Sequence, residues 1–355
     1  MNKYFLRLYK YYLTYLAAPV NRIRRCRPEK KSLFIAKFDG LGDFFLLLPL
    51  LKKLRGEGYR ITITGSGFQK EILDHCGLDI AAVPFSTGSF PALRTAIGAA
   101  RTLQPEFAAN LSMSAWGGIL VNQTRAPLMA GLLQEREWYV YKGHKLFYDR
   151  TFSCDPALHS FEVNCRFFSD LLHLDNLACV EPFLERPVEA GREVAIHPYG
   201  KWLPRRWPRF AELIDRLTAA GYCCAILGTA AEHASSDDTA RFKSNPLCRI
   251  VHLAAVPELL TELERCRAFI GNDSGPAHYA ALIGKPTFVL WGPGNFNRVR
   301  QIGRNVHIAK KEISCRPCRQ RDTSCPEGEN KCLQMIGTDE VVAAFRETID
   351  PTESK

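Results

Sequence analysis

The sequence lacks the signals that most quickly assign an α/β protein to a function. The turn after its first predicted strand is neither a GxGxxG motif nor a Walker phosphate loop, and no known nucleic-acid-binding pattern occurs. The apolar stretch Met1–Pro19 is too short and too charged to span a bilayer, and it lacks the cleavage pattern of a signal peptide. We therefore expect a cytoplasmic protein that does not bind nucleic acid.

Acidic residues are nearly absent from residues 1–31, which hold nine Lys or Arg and one Glu, while the rest of the chain carries only +2 of the net charge of +10. Four apolar residues here recur at spacings of three or four: Phe5, Leu8, Tyr12 and Leu16. This pattern, followed by the basic run Arg22–Lys31, predicts an interfacial helix that anchors the chain to anionic lipid at the inner face of the inner membrane. The alternative is a helix packed on its own domain and followed by a solvated basic linker.

The sequence has no regular disulfide framework, although it contains 13 cysteines. Most are single residues inside apolar segments, where a reduced, buried thiol is expected in a reducing compartment. The exception is a cluster near the C-terminus: Cys315, Cys318, Cys325 and Cys332. Four thiols with one CxxC pair suit a structural zinc or iron site. Free or partly paired thiols are the alternative.

The length of 355 residues and the alternation of apolar strand-like and helix-like segments favour two α/β domains with parallel sheets. Residues 181–192 contain two prolines, a glycine and several charges, which are typical of a linker. The predicted segments are a basic arm (1–31), a first domain (32–180), the linker (181–192), a second domain that includes the cysteine cluster (193–337), and a C-terminal helix and tail (338–355). Residues 125–160 are expected to be irregular.

The stretch Cys266–Pro293 reads as strand, polar turn, short helix and strand. In a parallel sheet this turn lies at the carboxyl ends of the strands, where ligands bind, and the start of the helix favours an anion. Candidate ligand-binding residues are Asp273, Ser274 and Gly275, with His278 one turn further on. The alternatives are that Asp273 and Ser274 only cap the helix and that His278 is a packed histidine.

Two other strand-to-helix turns carry polar residues. The first contains Asp39, Gly40, Gly42 and Asp43, where either carboxylate could cap a helix or act as a general base. The second opens the second domain with cationic side chains suited to a diphosphate, namely Lys201, Arg205 and Arg206. A solvated basic loop is the alternative for these cations. Glu232 follows the next strand, a position that often holds ribose hydroxyls.

Three segments together resemble the lipopolysaccharide heptosyltransferase family, glycosyltransferase family 9: Lys37–Pro49, Ile196–Leu213 and Asn272–Gly292. The resemblance implies the GT-B architecture, with two Rossmann-like domains facing across a cleft. It also implies that a C-terminal helix, here Asp339–Ile349, returns to the first domain.

The resemblance also implies roles for individual residues. Asp43 would be the general base of an inverting transfer that requires no metal cofactor, and Arg205, with Lys201, would stabilise the departing diphosphate. The remaining donor-binding positions would be Arg206, Glu232, Asp273, Ser274, Gly275 and His278, and the acceptor-side loop would include Asp39, Gly40 and Gly42.

The resulting hypothesis is a transferase that moves heptose, or a related sugar, from an ADP-sugar to a lipopolysaccharide core or another lipid-linked surface glycan. One alternative keeps the fold but uses another nucleotide sugar such as UDP-N-acetylglucosamine, either for transfer or for epimerisation. Another is a non-catalytic GT-B-like scaffold with a metal-binding cysteine cluster.

Overall fold

The computed structural model describes residues 9–10, 12–85, 89–112, 114–133, 144–186, 191–200, 203–236, 238–318, 325 and 330–350. The chain forms two compact units, Met1–Val180 and Glu181–Lys355. Each unit is built on one parallel β-sheet with helices between the strands.

The first unit begins with a π-helical turn, Leu13–Ala17, and the helix α1 (Ala18–Ile23). Its strands are β1 (Glu29–Ala36), β2 (Arg60–Gly65), β3 (Ala81–Pro84), β4 (Pro105–Asn110), β5 (Leu128–Leu133) and β6 (Arg150–Ser153). Its other α-helices are α2 (Leu41–Phe45), α3 (Leu48–Gly56), α4 (Phe68–His75), α5 (Phe90–Thr102), α6 (Ala115–Gln123) and α7 (Ser160–Leu172), with 3₁₀ turns at His144–Phe147 and Asp175–Cys179.

The second unit has the strands β7 (Glu193–His197), β8 (Cys223–Gly228), β9 (Cys248–His252), β10 (Ala268–Asn272), β11 (Thr287–Leu290) and β12 (Val306–Ala309). Its helices are α8 (Phe210–Ala219), α9 (Ala230–Ala234), α10 (Asp238–Lys243), α11 (Val256–Arg265), α12 (Gly275–Leu282), α13 (Phe296–Val299), α14 (Lys331–Gln334) and α15 (Thr338–Ile349), with a 3₁₀ turn at Leu203–Arg205.

The two sheets have the same strand order, β3-β2-β1-β4-β5-β6 and β9-β8-β7-β10-β11-β12, and all of their pairings are parallel. This is the doubly wound order, in which the direction of winding reverses between the first and fourth strands. The crevices that bind ligands in such folds therefore open beside β1 and β4 in one unit and beside β7 and β10 in the other. The central strands are buried on both faces, as parallel strands covered by helices must be.

The expectation that residues 125–160 are irregular is wrong, because β5 and β6 lie within them. Strand β5 reads LMAGLL, a short apolar run that periodicity does not distinguish from a buried helical turn. Strand β6 is four residues long at the edge of the sheet and is mostly exposed, so it has no apolar pattern to reveal it. Both strands lengthen the sheet beyond β4.

The expectation that the C-terminal helix returns to the first domain is also wrong, because α15 packs within the second unit. Phe345 is fully buried in the core of that unit, with its ring 5.1 Å from that of Tyr222 and 5.4 Å from that of Phe288. Val341 and Val342 belong to the same core. The apolar side of the helix complements α8 and the adjacent sheet, so its burial is satisfied there.

The N-terminal helical segment packs on the first unit. This agrees with the alternative given above, a helix packed on its own domain. Leu13 and Ala18 are buried in that unit's core. The side-chain amide of Asn21 donates a 3.0 Å hydrogen bond to Asn122 Oδ1, and the Asn122 amide donates to the carbonyl of Ala18. The predicted lipid-facing residues Phe5 and Leu8 lie outside the described part of the chain. None of the helices described is both long enough and apolar enough to cross a membrane.

Candidate functional site

The candidate site in the second unit lies where β10 ends and α12 begins. Asn272, at the end of β10, is fully buried and accepts a 2.8 Å hydrogen bond from the backbone amide of Trp207. Its own amide donates to the carbonyls of Pro198 and Tyr199, at 3.0 and 3.3 Å. One side chain thereby connects the turn after β10 to the turn after β7, across the point where the strand order reverses.

Asp273 is buried between two donors that come from distant segments. Gln301 Nε2 donates a 3.1 Å hydrogen bond to Asp273 Oδ1, and Nη1 of Arg205 lies 3.8 Å from Oδ2. Gln301 is itself buried, and its Oε1 has no hydrogen-bond partner among the described residues. The carboxylate therefore has a fixed orientation, and a polar atom beside it is available to a ligand.

Ser274 and Gly275 open α12, as the sequence predicts. Ser274 is the N-cap residue, yet its side chain makes no capping hydrogen bond, and its buried Oγ has no partner in the part of the chain that is described. The Ser274 hydroxyl therefore does not cap α12, although the alternative interpretation of this residue expected it to do so. His278 is buried one turn into the same helix. The backbone N–H groups of this first turn and the positive end of the helix dipole suit an anion.

The cationic turn of the second unit is partly described. Arg205 ends a short 3₁₀ turn, and its buried Nε has no hydrogen-bond partner among the described residues. Arg206 Nε donates a 2.9 Å hydrogen bond to the carbonyl of Gly200, so it supports the loop instead of projecting freely. Lys201 lies outside the described residues. Of the two described cations, Arg205 is the one that the structure brings to Asp273.

Glu232 forms a capping box at the start of α9. Its Oε2 accepts hydrogen bonds from the backbone amide and the hydroxyl of Thr229, at 2.8 and 2.9 Å, and the Thr229 hydroxyl accepts from the Glu232 amide. These bonds explain the residue's local role. Glu232 is half-buried and follows β8, so a ribose-binding role stays a prediction.

Sequence reasoning missed a column of aromatic and imidazole rings beside this edge. Burial lowers the pKa of His197 to about 4, and the charge of Glu232 only partly opposes this effect. Its Nδ1 is buried without a hydrogen-bond partner among the described residues. The ring of His197 lies edge-on to that of Tyr199, whose hydroxyl is 2.9 Å from His233 Nδ1. His197 is therefore a neutral imidazole near neutral pH. Its position at the end of β7, beside the ligand-binding edge of the sheet, was the signal in the sequence that could have identified it.

The polar turn of the first unit lies between β1 and α2. The buried ammonium of Lys37 is 2.7 Å from Asp39 Oδ2. Gly40 is the N-cap of α2, and a Cβ added to it would lie 3.9 Å from Asp43 Oδ2. Asp43 is in the first helical turn and half-buried. Asp39 therefore compensates a buried charge, and Asp43 lies at the start of a helix.

A family model described as glycosyltransferase family 9 (heptosyltransferase) matches residues 107–328, which is more than half of the chain. The chain belongs to glycosyltransferase family 9. The match covers the turns of the second unit that carry Arg205, Glu232 and Asp273, and the Asp43 turn lies before it. The resemblance stated from the sequence is thereby confirmed.

Individual relatives of this family 9 protein match only in part. The lipopolysaccharide heptosyltransferase 2 of Escherichia coli is 30% identical over 137 residues, which are 36% of this chain and 38% of that protein. Heptosyltransferase relatives from Campylobacter jejuni and Salmonella typhimurium align over only 27–36% of their own lengths. The chain thus spans about a third of the length of these curated relatives in sequence.

Solved structures of the family resemble this family 9 protein over nearly its whole length. A family 9 glycosyltransferase from Veillonella parvula has a TM-score of 0.75 at 17% identity, covering 92% of this chain and 100% of that one. The E. coli heptosyltransferase WaaC with ADP has a TM-score of 0.69 at 17% identity, covering 89% and 99%. The two six-stranded parallel sheets match these structures, which confirms the predicted GT-B fold class.

The four clustered cysteines of this family 9 protein lie near the Arg205 turn. Burial raises the pKa of Cys318, the Cys315 and Cys325 thiols raise it further, and the Arg205 charge opposes them. Burial likewise raises the pKa of Cys332, and all three other thiols add to it. The thiols therefore lie within electrostatic range of one another, although no group of three or more metal-ligating side chains forms among the described residues.

A further solved structure of similar fold is described as containing iron. The dodecameric, iron-containing heptosyltransferase TibC, in complex with ADP-D-β-D-heptose, has a TM-score of 0.56 at 14% identity, covering 91% of this chain and 76% of that one. The likeness concerns the fold.

Proposed function

We propose that this protein is an inverting glycosyltransferase that moves a heptose from ADP-heptose to a lipopolysaccharide core or a related lipid-linked surface glycan. Membership of family 9 supports sugar transfer, and the names of its relatives support heptose and lipopolysaccharide. The structural relatives that contain ADP or ADP-heptose support an adenine nucleotide donor. The observation that carries the proposal is the buried Asp273, held by Gln301 and Arg205 at the start of α12.

The donor would bind at this turn through complementary charges. The diphosphate would accept hydrogen bonds from the first turn of α12 and from the Ser274 hydroxyl, which makes no other hydrogen bond to described residues. Asp273 would accept from sugar hydroxyls, with His278 and Gly275 shaping the turn. Arg206 and Lys201 would contribute charge, and Glu232 would hold ribose hydroxyls. Each of these contacts uses a chemical group that the diphosphate or the sugars offer.

The departing ADP requires positive charge, which Arg205 would supply, with Lys201 sharing the task. A guanidinium beside the diphosphate stabilises the charge that develops as the glycosidic bond to the phosphate breaks. Its unpartnered Nε provides a further N–H for a phosphate oxygen. With these cations in place the transfer would require no metal cofactor.

The acceptor hydroxyl would be deprotonated by Asp43. Asp43 lies in the first turn of α2, where Gly40 is the N-cap residue and Gly42 is the second helical residue. Asp39, whose carboxylate is 2.7 Å from the buried Lys37 ammonium, is the alternative base. The acceptor hydroxyl would lose its proton to Asp43 while its oxygen attacks the anomeric carbon. Displacement of ADP from the opposite side would invert the configuration of that carbon.

The four-cysteine cluster is proposed to hold a structural zinc or iron ion. The donor set is chemically suitable, because four thiolates are a preferred ligand set for either metal, and the neighbouring thiols help to raise the pKa of Cys318 and of Cys332. Cys318 and its neighbours would contribute ligands and the metal would stabilise the segment that follows β12. Metal content of the purified protein, with a thiol count before and after chelation, separates this proposal from free or partly paired thiols.

The acceptor's lipid moiety leads us to propose that the enzyme works at the inner face of the inner membrane. The basic arm would provide the attraction to anionic lipid. A transferase of the same fold that uses another nucleotide sugar, such as UDP-N-acetylglucosamine, is the second candidate. A non-catalytic GT-B-like scaffold is the third.

Calorimetry with ADP, ADP-heptose, UDP-sugars and GDP-sugars tests the proposal. Wild type should prefer the adenine series, and Asp273→Asn should lose most of that affinity. Asp215→Asn is the matched control, because it removes an exposed carboxylate of the same unit that pairs with Arg241. Preference for a UDP-sugar would show that the donor is not ADP-heptose. Failure of folded wild type to bind any nucleotide would overturn the enzyme proposal.

A further inference from the structure

The N-terminal helical segment exposes an unusual amount of apolar side chain. Among the described residues, five large apolar side chains are strongly exposed, and four of them belong to this segment. They are Tyr12 (50%), Leu16 (60%), Val20 (45%) and Ile23 (83%). Their spacings of four, four and three residues place them along one face of a helix. The fifth, Met335 (56%), is in the second unit.

The opposite face of this segment is fixed to the first unit. Leu13, Thr14 and Ala18 are fully buried, and Asn21 is buried in its hydrogen bond with Asn122. Because this face is already packed on the first unit, the segment cannot rotate to bury its exposed side chains. The exposed stripe is a permanent feature of the first unit's surface and not the outer side of a loosely attached helix.

Most of the charges beside this stripe are positive. The first 28 residues contain no Asp or Glu. Arg24 and Arg27 follow the helix and Lys30 lies at the start of β1; all three are exposed, and no ion pair involves them within the described part of the chain. Arg25, by contrast, is paired with Asp149, which fixes the end of the helix to the first unit. The stripe thus lies next to unneutralised positive charge.

We propose that Tyr12, Leu16, Val20 and Ile23 form a membrane-contact face that enters the headgroup region of an anionic bilayer, with Arg24, Arg27 and Lys30 against the lipid phosphates. Apolar side chains beside uncompensated cations fit anionic lipid, which offers acyl chains and negative charge together. The proposal rests on the proposed function only for the location of the acceptor. Because the helix is fixed, the face would set the orientation of the first unit toward the membrane.

The first experiment measures partition of the full chain onto vesicles of phosphatidylcholine, with and without phosphatidylglycerol. Wild type should bind only the anionic vesicles at moderate salt. The double variant Leu16→Gln/Ile23→Gln should lower the partition coefficient by at least about tenfold, since each removes an inserted apolar side chain. Arg24→Gln/Arg27→Gln should weaken binding about fivefold or more and reduce its dependence on salt. Met335→Gln, which removes an exposed apolar side chain elsewhere, should have no effect.

A second experiment locates the contact. In Leu16→Trp, fluorescence should be quenched by brominated lipids more strongly than in Met335→Trp, since only the first variant adds an indole to the proposed face. Equal quenching in the two variants, or unchanged vesicle binding of Leu16→Gln/Ile23→Gln, would overturn the proposal. If light scattering showed a wild-type dimer that this double variant dissociates, with no vesicle binding by either, the face would be an interface between copies instead.

The same variants separate this inference from the proposed function. Binding of ADP, measured by calorimetry, should be equal in wild type and in Leu16→Gln/Ile23→Gln, because the substitutions are in the first unit and on its surface. Vesicle binding without nucleotide binding by wild type would refute the transferase and leave the membrane-contact face supported. Nucleotide binding without vesicle binding by wild type would support the proposed function and refute the membrane-contact face.

Discussion

Gln301 donates a hydrogen bond to one oxygen of Asp273, while Arg205 approaches the other oxygen. The carboxylate is buried, and the two donors belong to segments that are 96 residues apart in the chain. Arg205 follows the first strand of the second unit and Gln301 follows its short helix α13. Gln301 is therefore a candidate positioning residue for Asp273, in a segment that carries no recognisable motif.

Replacing Gln301 should weaken donor binding in a pH-dependent way. Gln301→Leu removes the hydrogen bond to a charged group and should cost about 1–3 kcal/mol of ADP-heptose binding. Gln301→Glu places a second carboxylate beside Asp273, so its affinity should be lowest at neutral pH and recover as pH falls and one carboxylate takes a proton. Calorimetry between pH 5 and 8 measures both. A flat profile for Gln301→Glu would contradict the positioning role.

Replacing Arg205 should affect turnover more than donor binding. Arg205→Ala should lower kcat by about 10²–10³-fold, because the charge acts on the departing diphosphate. Arg205→Lys should recover part of this loss, since it restores the charge but not the planar fork. The control is Arg241→Ala, which removes an exposed guanidinium of the same unit. Equal kcat values for Arg205→Ala and this control would remove Arg205 from the reaction.

Asp39 and Asp43 offer a matched pair of substitutions. Asp43→Asn should lower kcat by about 10²–10⁴-fold with donor affinity retained, because a general base is lost. Asp39→Asn should instead destabilise the fold by about 1–3 kcal/mol, since it removes a carboxylate that lies 2.7 Å from the buried Lys37 ammonium. Steady-state kinetics and urea unfolding of both variants check this. A larger kcat loss for Asp39→Asn, measured on folded protein, would reverse the assignment.

His197 should contribute to the acid sensitivity of the protein. The folded-state pKa of about 4 lies below the ordinary value of about 6.5, so the unfolded chain takes up the proton first as pH falls. Stability is therefore unaffected above about pH 6.5 and decreases as pH falls toward 4, by up to about 3 kcal/mol. Urea unfolding at pH 4.5 and 7.5 should show a smaller pH effect in His197→Asn than in wild type. His173→Asn, at an exposed site, should behave as wild type.

The sequence predicted those features that depend on local patterns. Apolar runs ending in polar turns located β1, β7, β10 and β11, and the turn at Asp273 was predicted at the carboxyl edge of a parallel sheet, where it lies. The parallel arrangement followed from the alternation of strands and helices. The family was recognised from three segments whose order in the chain matched.

Features that depend on contacts between distant segments were missed. The amphipathic pattern of α15 predicts that it packs somewhere, but nothing in it indicates which sheet its Phe345 will meet. The edge strands β6 and β12 are four residues long and largely unburied, so they carry little apolar signal. The contact between Gln301 and Asp273 arises only when the segment after α13 is placed beside the turn before α12, which no spacing in the sequence reveals.

The buried Asn272 has a consequence for how a ligand would be bound. Its side chain holds the turn after β7 and the turn after β10 in one hydrogen-bonded unit before any ligand arrives. Neither turn then has to be ordered on binding, so little conformational entropy is lost and the interaction energy appears as affinity. The proposed donor turn is therefore preorganised before the ligand binds, and its geometry depends on the side-chain amide of Asn272.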